Sequence, residues 1–154
     1  MTSTADLYDE HGEALQSLAL PLRDYGGAAA FAGPIRTVKC YEDNALLKQV
    51  LSEPGEGAVL VVDAAGSLDR AVLGDMIAAM AAENDWSGVV VHGAVRDVAV
   101  LRTVDLGIKA LGSNPRKSTK TAQGVVDDVV DFGGVTFRPG RRLVADEDGV
   151  LVER

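Results

Sequence analysis

Cysteine is nearly absent from this chain: Cys40 is the only one. An intrachain disulfide is therefore impossible, and so is a cysteine-based zinc site. Two histidines, His11 and His92, are too few for a histidine-rich metal cluster. Any metal would have to be a hard ion held by carboxylates and water. Aromatic residues make up only 5%, so stacking platforms for bases are scarce. Basic residues are outnumbered, 15 against 23 acidic ones, for a net charge of -8. Wrapping nucleic acid needs a basic face, which this balance does not provide. A basic protein partner remains compatible with it. No apolar run approaches the ~20 residues of a membrane-spanning helix. The first ten residues carry acidic side chains and lack the basic flank of a signal peptide. The cytoplasm is the expected compartment.

What is present suits a globular protein. The 154 residues are 47% hydrophobic and 25% charged, which excludes disorder as the main state. One domain over residues 1–154 is expected, burying about two thirds of its unfolded surface and leaving about 7,400 Å² accessible.

Thr4–Leu18 reads as a helix with Leu7, His11, Leu15 and Leu18 at helical spacing. Ile35–Cys40 alternates like a strand, and Asp43 is placed to cap a helix over 44–51. Ala58–Val62 and Gly88–His92 are short continuous apolar runs, the pattern of strands buried on both faces. Between them, Val72–Glu83 reads as helical. A short helix over 98–104 and a strand over 108–111 follow. Beyond a polar, basic stretch from Asn114 to Gly124, the last third is mostly strands, with Asp148-Gly149 marking a hairpin.

Two loops carry the candidate chemistry: Gly74-Asp75-Met76-Ile77 and Gly93-Ala94-Val95-Arg96-Asp97. Backbone amides at a helix start around Gly74 to Ile77 would bind an anion, and Gly74 would let it approach closely. Arg96 can grip a carboxylate through two parallel hydrogen bonds. Asp97 is a hard oxygen ligand for a divalent cation, and Asp75 can order water beside it. A 2-keto acid would then lie with its carboxylate on Arg96 and the amides and its keto oxygen on the metal. A plain structural reading stands beside this one. In it Asp75 is an exposed helix residue or cap, Asp97 caps the helix over 98–104, and Arg96 pairs with a surface acid. Arg116-Lys117-Ser118-Thr119-Lys120 reads as a solvated basic loop, with phosphate binding as its alternative; His92 reads as a hydrogen-bonded core histidine rather than a base, and Cys40 as a small buried hydrophobe rather than a nucleophile. Neither a G-x-G-x-x-G following a strand nor a G-x-S-x-G elbow is found.

The chain resembles the RraA family, the regulators of ribonuclease activity A, with the related 4-hydroxy-4-methyl-2-oxoglutarate aldolases. The resemblance rests on Gly74-Asp75, the run from Gly88 to Asp97, Pro115-Arg116-Lys117-Ser118, Phe132-Gly133-Gly134-Val135, Arg138-Pro139-Gly140 and Ala145 to Val150. It implies an α/β fold of three layers, β/β/α, of the swivelling type, assembled as a homotrimer. It implies that Gly74, Asp75, Met76, Ile77 and Arg96 bind pyruvate-like substrates and that Asp97 ligates Mg²⁺ or Mn²⁺, with Arg96, Asp97 and Asp75 as the catalytic set. The implied activity is aldol cleavage or oxaloacetate decarboxylation through a pyruvate enolate. The longer aldolases extend past the last hairpin and place a further carboxylate in a neighbour's site. This sequence ends at Arg154, so the resemblance favours decarboxylation, which needs no base to remove a hydroxyl proton. The alternative it implies is a non-catalytic trimer that binds and inhibits a ribonuclease E-type enzyme; the acidic loop residues Asp127, Asp128, Glu147 and Asp148 are the expected contact surface. Some family members carry the name of menaquinone methyltransferases, a chemistry that no motif here supports.

Overall fold

A computed structural model describes residues 1–154. In chain order the elements are α1 (Thr4–His11), a 3-10 turn (Gly12–Ala14), β1 (Leu15–Ser17), β2 (Arg23–Asp24), β3 (Phe31–Lys39), α2 (Ala45–Leu51), β4 (Val59–Asp63), β5 (Ala71–Leu73), α3 (Asp75–Glu83) and β6 (Gly88–Val95). Then come α4 (Val98–Leu101), β7 (Gly107–Ser113), β8 (Val125–Val126), β9 (Val130–Phe132), β10 (Val135–Phe137), β11 (Arg142–Asp146) and β12 (Gly149–Glu153).

The two valine-rich runs are the centre of the sheet. β4 lies between β3 and β6, parallel to both, and β6 continues parallel to β7. Buried on both faces, these strands need no polar alternation. Their side chains still sort by face. Leu60, Val62, Val89 and Val91 share one core with Leu47, Leu51, Ala78, Ala81 and Leu101, so α2, α3 and α4 cover that side. Val59, Val61 and Val90 share the other core with Val130, Phe132, Phe137, Leu143, Ala145 and Val152, so β9 to β12 cover the opposite side. Helices, parallel strands and antiparallel strands form the three layers that the resemblance implies.

β3 joins the last two layers. Its first half, Phe31 to Pro34, runs antiparallel to β11, and its second half, Ile35 to Lys39, runs parallel to β4. The expected β11–β12 hairpin is present, but it turns through Glu147-Asp148, one residue earlier than Asp148-Gly149, with Gly149 already paired to Asp146. Phe31 sits where the layers meet. Its ring lies across Gly88 and Gly107, and a Cβ at either glycine would fall inside van der Waals contact of that ring.

Three expectations need correction. The first helix stops at His11, because Gly12 closes it with φ +54, and Leu15 to Ser17 pairs with β12 instead. Sheet pairing outweighs the helical spacing of Leu15 and Leu18. Val72 is not helical: Ala71 to Leu73 is a buried strand parallel to β6, and the helix begins at Asp75. The short helix expected over 98–104 ends at Leu101. The accessible surface, 7264 Å², agrees with the scaling expectation.

The stretch from Asn114 to Gly124 is held by side chains. Asp43, 1% exposed, accepts from the amides of Ala45, Thr121 and Ala122 and from the hydroxyls of Thr119 and Thr121. Burial pushes its pKa up, but the donors of Thr121, Ala45 and Thr119 outweigh burial and hold it down at about 2. Below them, Ser118 Oγ donates to the Ala71 carbonyl at 2.7 Å. At the far end, Arg36 grips Asp127 with two bonds, 3.1 and 2.8 Å, and reaches Glu53 at 3.1 Å.

Two predictions come from this packing. Gly107→Ala should cost about 1–3 kcal/mol in urea unfolding, through overpacking against Phe31. Combining it with Phe31→Leu should cost less than the sum of the two single changes, and strict additivity would show that the ring is not the obstacle. Asp43 has a folded pKa below its ordinary value, so its stabilisation is present above about pH 4 and is lost as pH falls toward 2. The stability gap between wild type and Asp43→Asn should therefore be constant from pH 5 upward and close on acidification. A gap that widens in acid would contradict this.

Candidate functional site

The parallel strands β5 and β6 end side by side. β5 leads into Gly74 and the first turn of α3, and β6 leads into Arg96 and Asp97. The Arg96 amide donates to the Leu73 carbonyl at 2.9 Å, which locks the two strand ends together. Asp97 then adopts the left-handed conformation, φ 59 and ψ 40, which Asp tolerates better than most residues. This turn starts α4 and leaves the Asp97 carboxylate free to face the neighbouring loop. Its Oδ2 accepts the Asp75 amide at 3.1 Å. Asp97 therefore occupies the N-cap position of α4 without capping it, and binds the N-terminus of α3 instead.

This contact explains the glycine. A Cβ at Gly74 would stand 2.7 Å from Asp97 Oδ2, so any larger residue would push the carboxylate away. The Met76 amide is satisfied by the Asp75 carboxylate at 2.9 Å. Of the amides expected to meet an anion, those of Gly74 and Ile77 donate to no protein acceptor. The anion site is thus narrower than the sequence suggests. Arg96 is 41% exposed, its Nε 4.0 Å from Asp97 Oδ2 and its Nη1 3.4 Å from the Pro115 carbonyl. Its terminal nitrogens have no carboxylate partner within the protein.

All six residues singled out from the sequence, Gly74, Asp75, Met76, Ile77, Arg96 and Asp97, line one cavity of about 260 Å³. That size is at the small end for ligand pockets and suits a small metabolite. Met76 is 82% exposed and stands at the rim. The polar wall formed by Asn44, Lys48, Lys117 and Lys120 completes the lining, and sequence reasoning, which weighed phosphate binding for the 116–120 loop, did not place these residues at the same cavity. None of the three lysines has a carboxylate within 4 Å. Asn44 Oδ1 is buried without any hydrogen-bond partner, a costly state unless something in the pocket donates to it. The basic loop at 116–120 is therefore part of the pocket wall as well as a solvated surface. Ser118 and Thr119 anchor it between Lys117 and Lys120, through the Ala71 carbonyl and Asp43.

No group of three His, Cys, Asp or Glu side chains gathers anywhere to cage a metal. The donors present are one oriented carboxylate, Asp97, with Asp75 beside it. This set fits Mg²⁺ or Mn²⁺, ions that keep most of their water and take one or two carboxylates. It does not fit an all-protein cage.

The remaining candidates lie elsewhere and are structural. His92 Nδ1 is 3.3 Å from Asp63 Oδ1, and its ring stacks on Phe132 at 4.6 Å. Cys40 is buried, and burial, helped by Asp43 and Asp63, pushes its thiol up to about 12. That removes it as a nucleophile at neutral pH.

The chain and its fold resemble known proteins. The family model described as RraA-like, Aldolase/RraA, matches residues 4–152. The RNA-processing inhibitor RraA from Thermus thermophilis is 47% identical, with 99% of this chain and 93% of that chain covered and a TM-score of 0.96. A protein from Geobacillus kaustophilus HTA426 described as S-adenosylmethionine:2-dimethylmenaquinone methyltransferase is 44% identical, with coverage of 99% and 94% and a TM-score of 0.95. RraAS2 from Streptomyces coelicolor, described as an unusual member of the RNase ES inhibitor RraA family, is 29% identical, with coverage of 99% and 81% and a TM-score of 0.79. No helix here is long and apolar enough to cross a membrane. With a family match over nearly its whole length and the same fold, the chain belongs to the RraA-like family, whose members include aldolases and regulators of RNA-degrading enzymes.

Proposed function

We propose that this protein is a divalent-metal-dependent lyase acting on 2-keto acids, of the oxaloacetate decarboxylase and 4-hydroxy-4-methyl-2-oxoglutarate aldolase type. One observation carries the reading: Arg96, the oriented Asp97 and the unpartnered Gly74 and Ile77 amides converge on one cavity faced by three unpaired lysines. The substrate's C1 carboxylate takes the Arg96 fork and the free amides, where both charge and geometry favour it. Asp97 would hold Mg²⁺ or Mn²⁺, and Asp75 would order the surrounding water. When bound, the ion supplies positive charge beside the keto oxygen, where negative charge develops.

In oxaloacetate the C3–C4 bond breaks, CO₂ leaves, and the electron pair remains as the pyruvate enolate. Protonation at C3 gives pyruvate. Lys48, Lys117 and Lys120 would attract the second carboxylate. For a carboxylate that leaves as CO₂ this attraction strengthens binding without lowering the barrier, since its charge is lost on the way to the transition state. The working assembly in this proposal is a cytoplasmic homotrimer.

A regulatory reading is favoured by the likeness to the Thermus RNA-processing inhibitor. Its surface would be acidic and would meet a basic segment of a ribonuclease E-type enzyme. Asp128, Glu147 and Asp148 are exposed and suit that role. Asp127 is engaged by Arg36 and contributes less free charge.

Pyruvate release from oxaloacetate, with Mg²⁺ or Mn²⁺ and with chelator, tests the leading reading. Asp97→Ala should abolish the metal-dependent part. Arg96→Lys should lose nearly as much as Arg96→Ala, because lysine keeps the charge without the planar fork. Full activity of the Asp97 variant with the same metal dependence would sink the assignment. The regulatory reading predicts calorimetric binding to a basic ribonuclease segment that survives Asp97→Ala. It should weaken with added salt and with neutralisation of Asp128, Glu147 and Asp148. An absence of binding at low salt would reject it.

A further inference from the structure

The polar wall of the cavity comes from two distant stretches of chain. Asn44 and Lys48 belong to the start of α2, while Lys117 and Lys120 belong to the loop after β7. One buried side chain joins the two. Asp43 Oδ1 accepts the Ala45 amide at 3.1 Å and the Ala122 amide at 3.2 Å. Its Oδ2 accepts the Thr121 amide at 2.5 Å and the hydroxyls of Thr121 and Thr119 at 2.7 and 2.9 Å. Backbone bonds close the seam on either side, Asn44 N to Thr119 O at 3.1 Å and Thr119 N to Glu42 O at 2.9 Å.

No cation pairs with Asp43 within 4 Å. A buried carboxylate without a counter-ion persists only when its lone pairs are filled, and here five donors fill them. Such bonds are roughly twice as strong as neutral ones. The pinned residues alternate with the functional ones: Ser118 and Thr119 are anchored between Lys117 and Lys120, and Asp43 directly precedes Asn44. Loosening Asp43 would therefore open the seam between Asn44 and residues 119–122 and shift the polar groups on either side of it, while Lys117 keeps a tie of its own to β5 through the Ala71 bonds of Arg116 and Ser118. It would leave in place Asp97 and the Arg96 backbone, held by the β5–β6 pairing, and Pro115 beneath the Arg96 side chain, held next to β5 by the bond from the Ala71 amide to the Arg116 carbonyl at 2.7 Å.

We infer that Asp43 is a positioning residue for a second-anion subsite: it sets the wall of Asn44, Lys48, Lys117 and Lys120 that receives the distal carboxylate of a dicarboxylic 2-keto acid. This inference rests on the proposed function for the identity of the ligand, but not for the clamp itself.

Two measurements on the full-length protein test it. Hydrogen exchange across residues 114–124 reads the clamp without any ligand. Calorimetric titration with 2-oxoglutarate and with pyruvate, in the presence of Mn²⁺, reads the subsite. Asp43→Asn should speed exchange in that segment and weaken 2-oxoglutarate by about tenfold, with pyruvate within about twofold. Thr121→Val, an exposed position that leaves the carboxylate intact, should weaken 2-oxoglutarate by about threefold and serves if Asp43→Asn does not fold. Equal weakening of both keto acids, or unchanged exchange, would overturn the inference in either variant. If the wild type binds neither keto acid, the proposed function fails and the subsite fails with it. Exchange alone then still decides whether Asp43 holds the loop.

Discussion

A parallel sheet must be covered on both faces, because its crossover connections and its continuous apolar strands leave neither side fit for water. Here that constraint is met with two different covers. The face built from Leu60, Val62, Val89 and Val91 is closed by helices, and the face built from Val59, Val61 and Val90 is closed by the antiparallel C-terminal strands. Both covers depend on β3, which pairs with β11 in one half and β4 in the other. The site follows from the same constraint. Parallel strands send all their carboxyl ends to one edge, and ligands in such sheets bind outside those ends. Gly74 follows β5 and Arg96-Asp97 follows β6, so two loops twenty residues apart in sequence open on the same cavity.

Part of this was legible in the residues because it is written locally. AVLVV and GVVVH are short, apolar runs that fit buried strands, and Asp148-Gly149 marks the hairpin to within one residue of its turn. Arg96-Asp97 stood out because anion-binding and cation-binding residue types fell between a predicted strand and a predicted helix, and Gly74-Asp75 by its residue types, although it lay within the stretch that reads as helical. The errors are also local in origin. Leu15 and Leu18 fit a helical stripe, but Gly12 ends the helix and β12 offers a partner strand. Ala71 to Leu73 has three buried residues in a row, which a three-residue strand and the start of a helix display equally well.

The polar wall was illegible for a different reason. Asp43 looked like a helix cap, and it does accept the Ala45 amide. Its other donors lie 76 to 79 residues away, in a loop with almost no regular structure to announce itself. Nothing in periodicity or composition links Asp43 to Thr121, or Lys48 to Lys117. Such a pairing belongs to tertiary structure alone, and it turned a stretch that reads as a solvated basic loop into a wall of the pocket.

The charge pattern then takes on a definite meaning. The chain as a whole is strongly acidic, with a net charge of -8. Around the cavity, Lys48, Arg96, Lys117 and Lys120 outnumber Asp75 and Asp97. On an acidic chain this local basic excess favours dianions over monoanions at the cavity mouth. Under the proposed chemistry this separates two kinds of substrate. A carboxylate that departs as CO₂ gives up its ion pairs as the C3–C4 bond breaks, so the lysines add to affinity and not to rate. A carboxylate that stays on the second fragment of an aldol keeps those pairs through the transition state, and the same lysines then help hold that fragment in place while the bond breaks. Under that proposal the lysine wall would serve an aldol substrate more fully than oxaloacetate, although decarboxylation would ask less of Arg96 and Asp97.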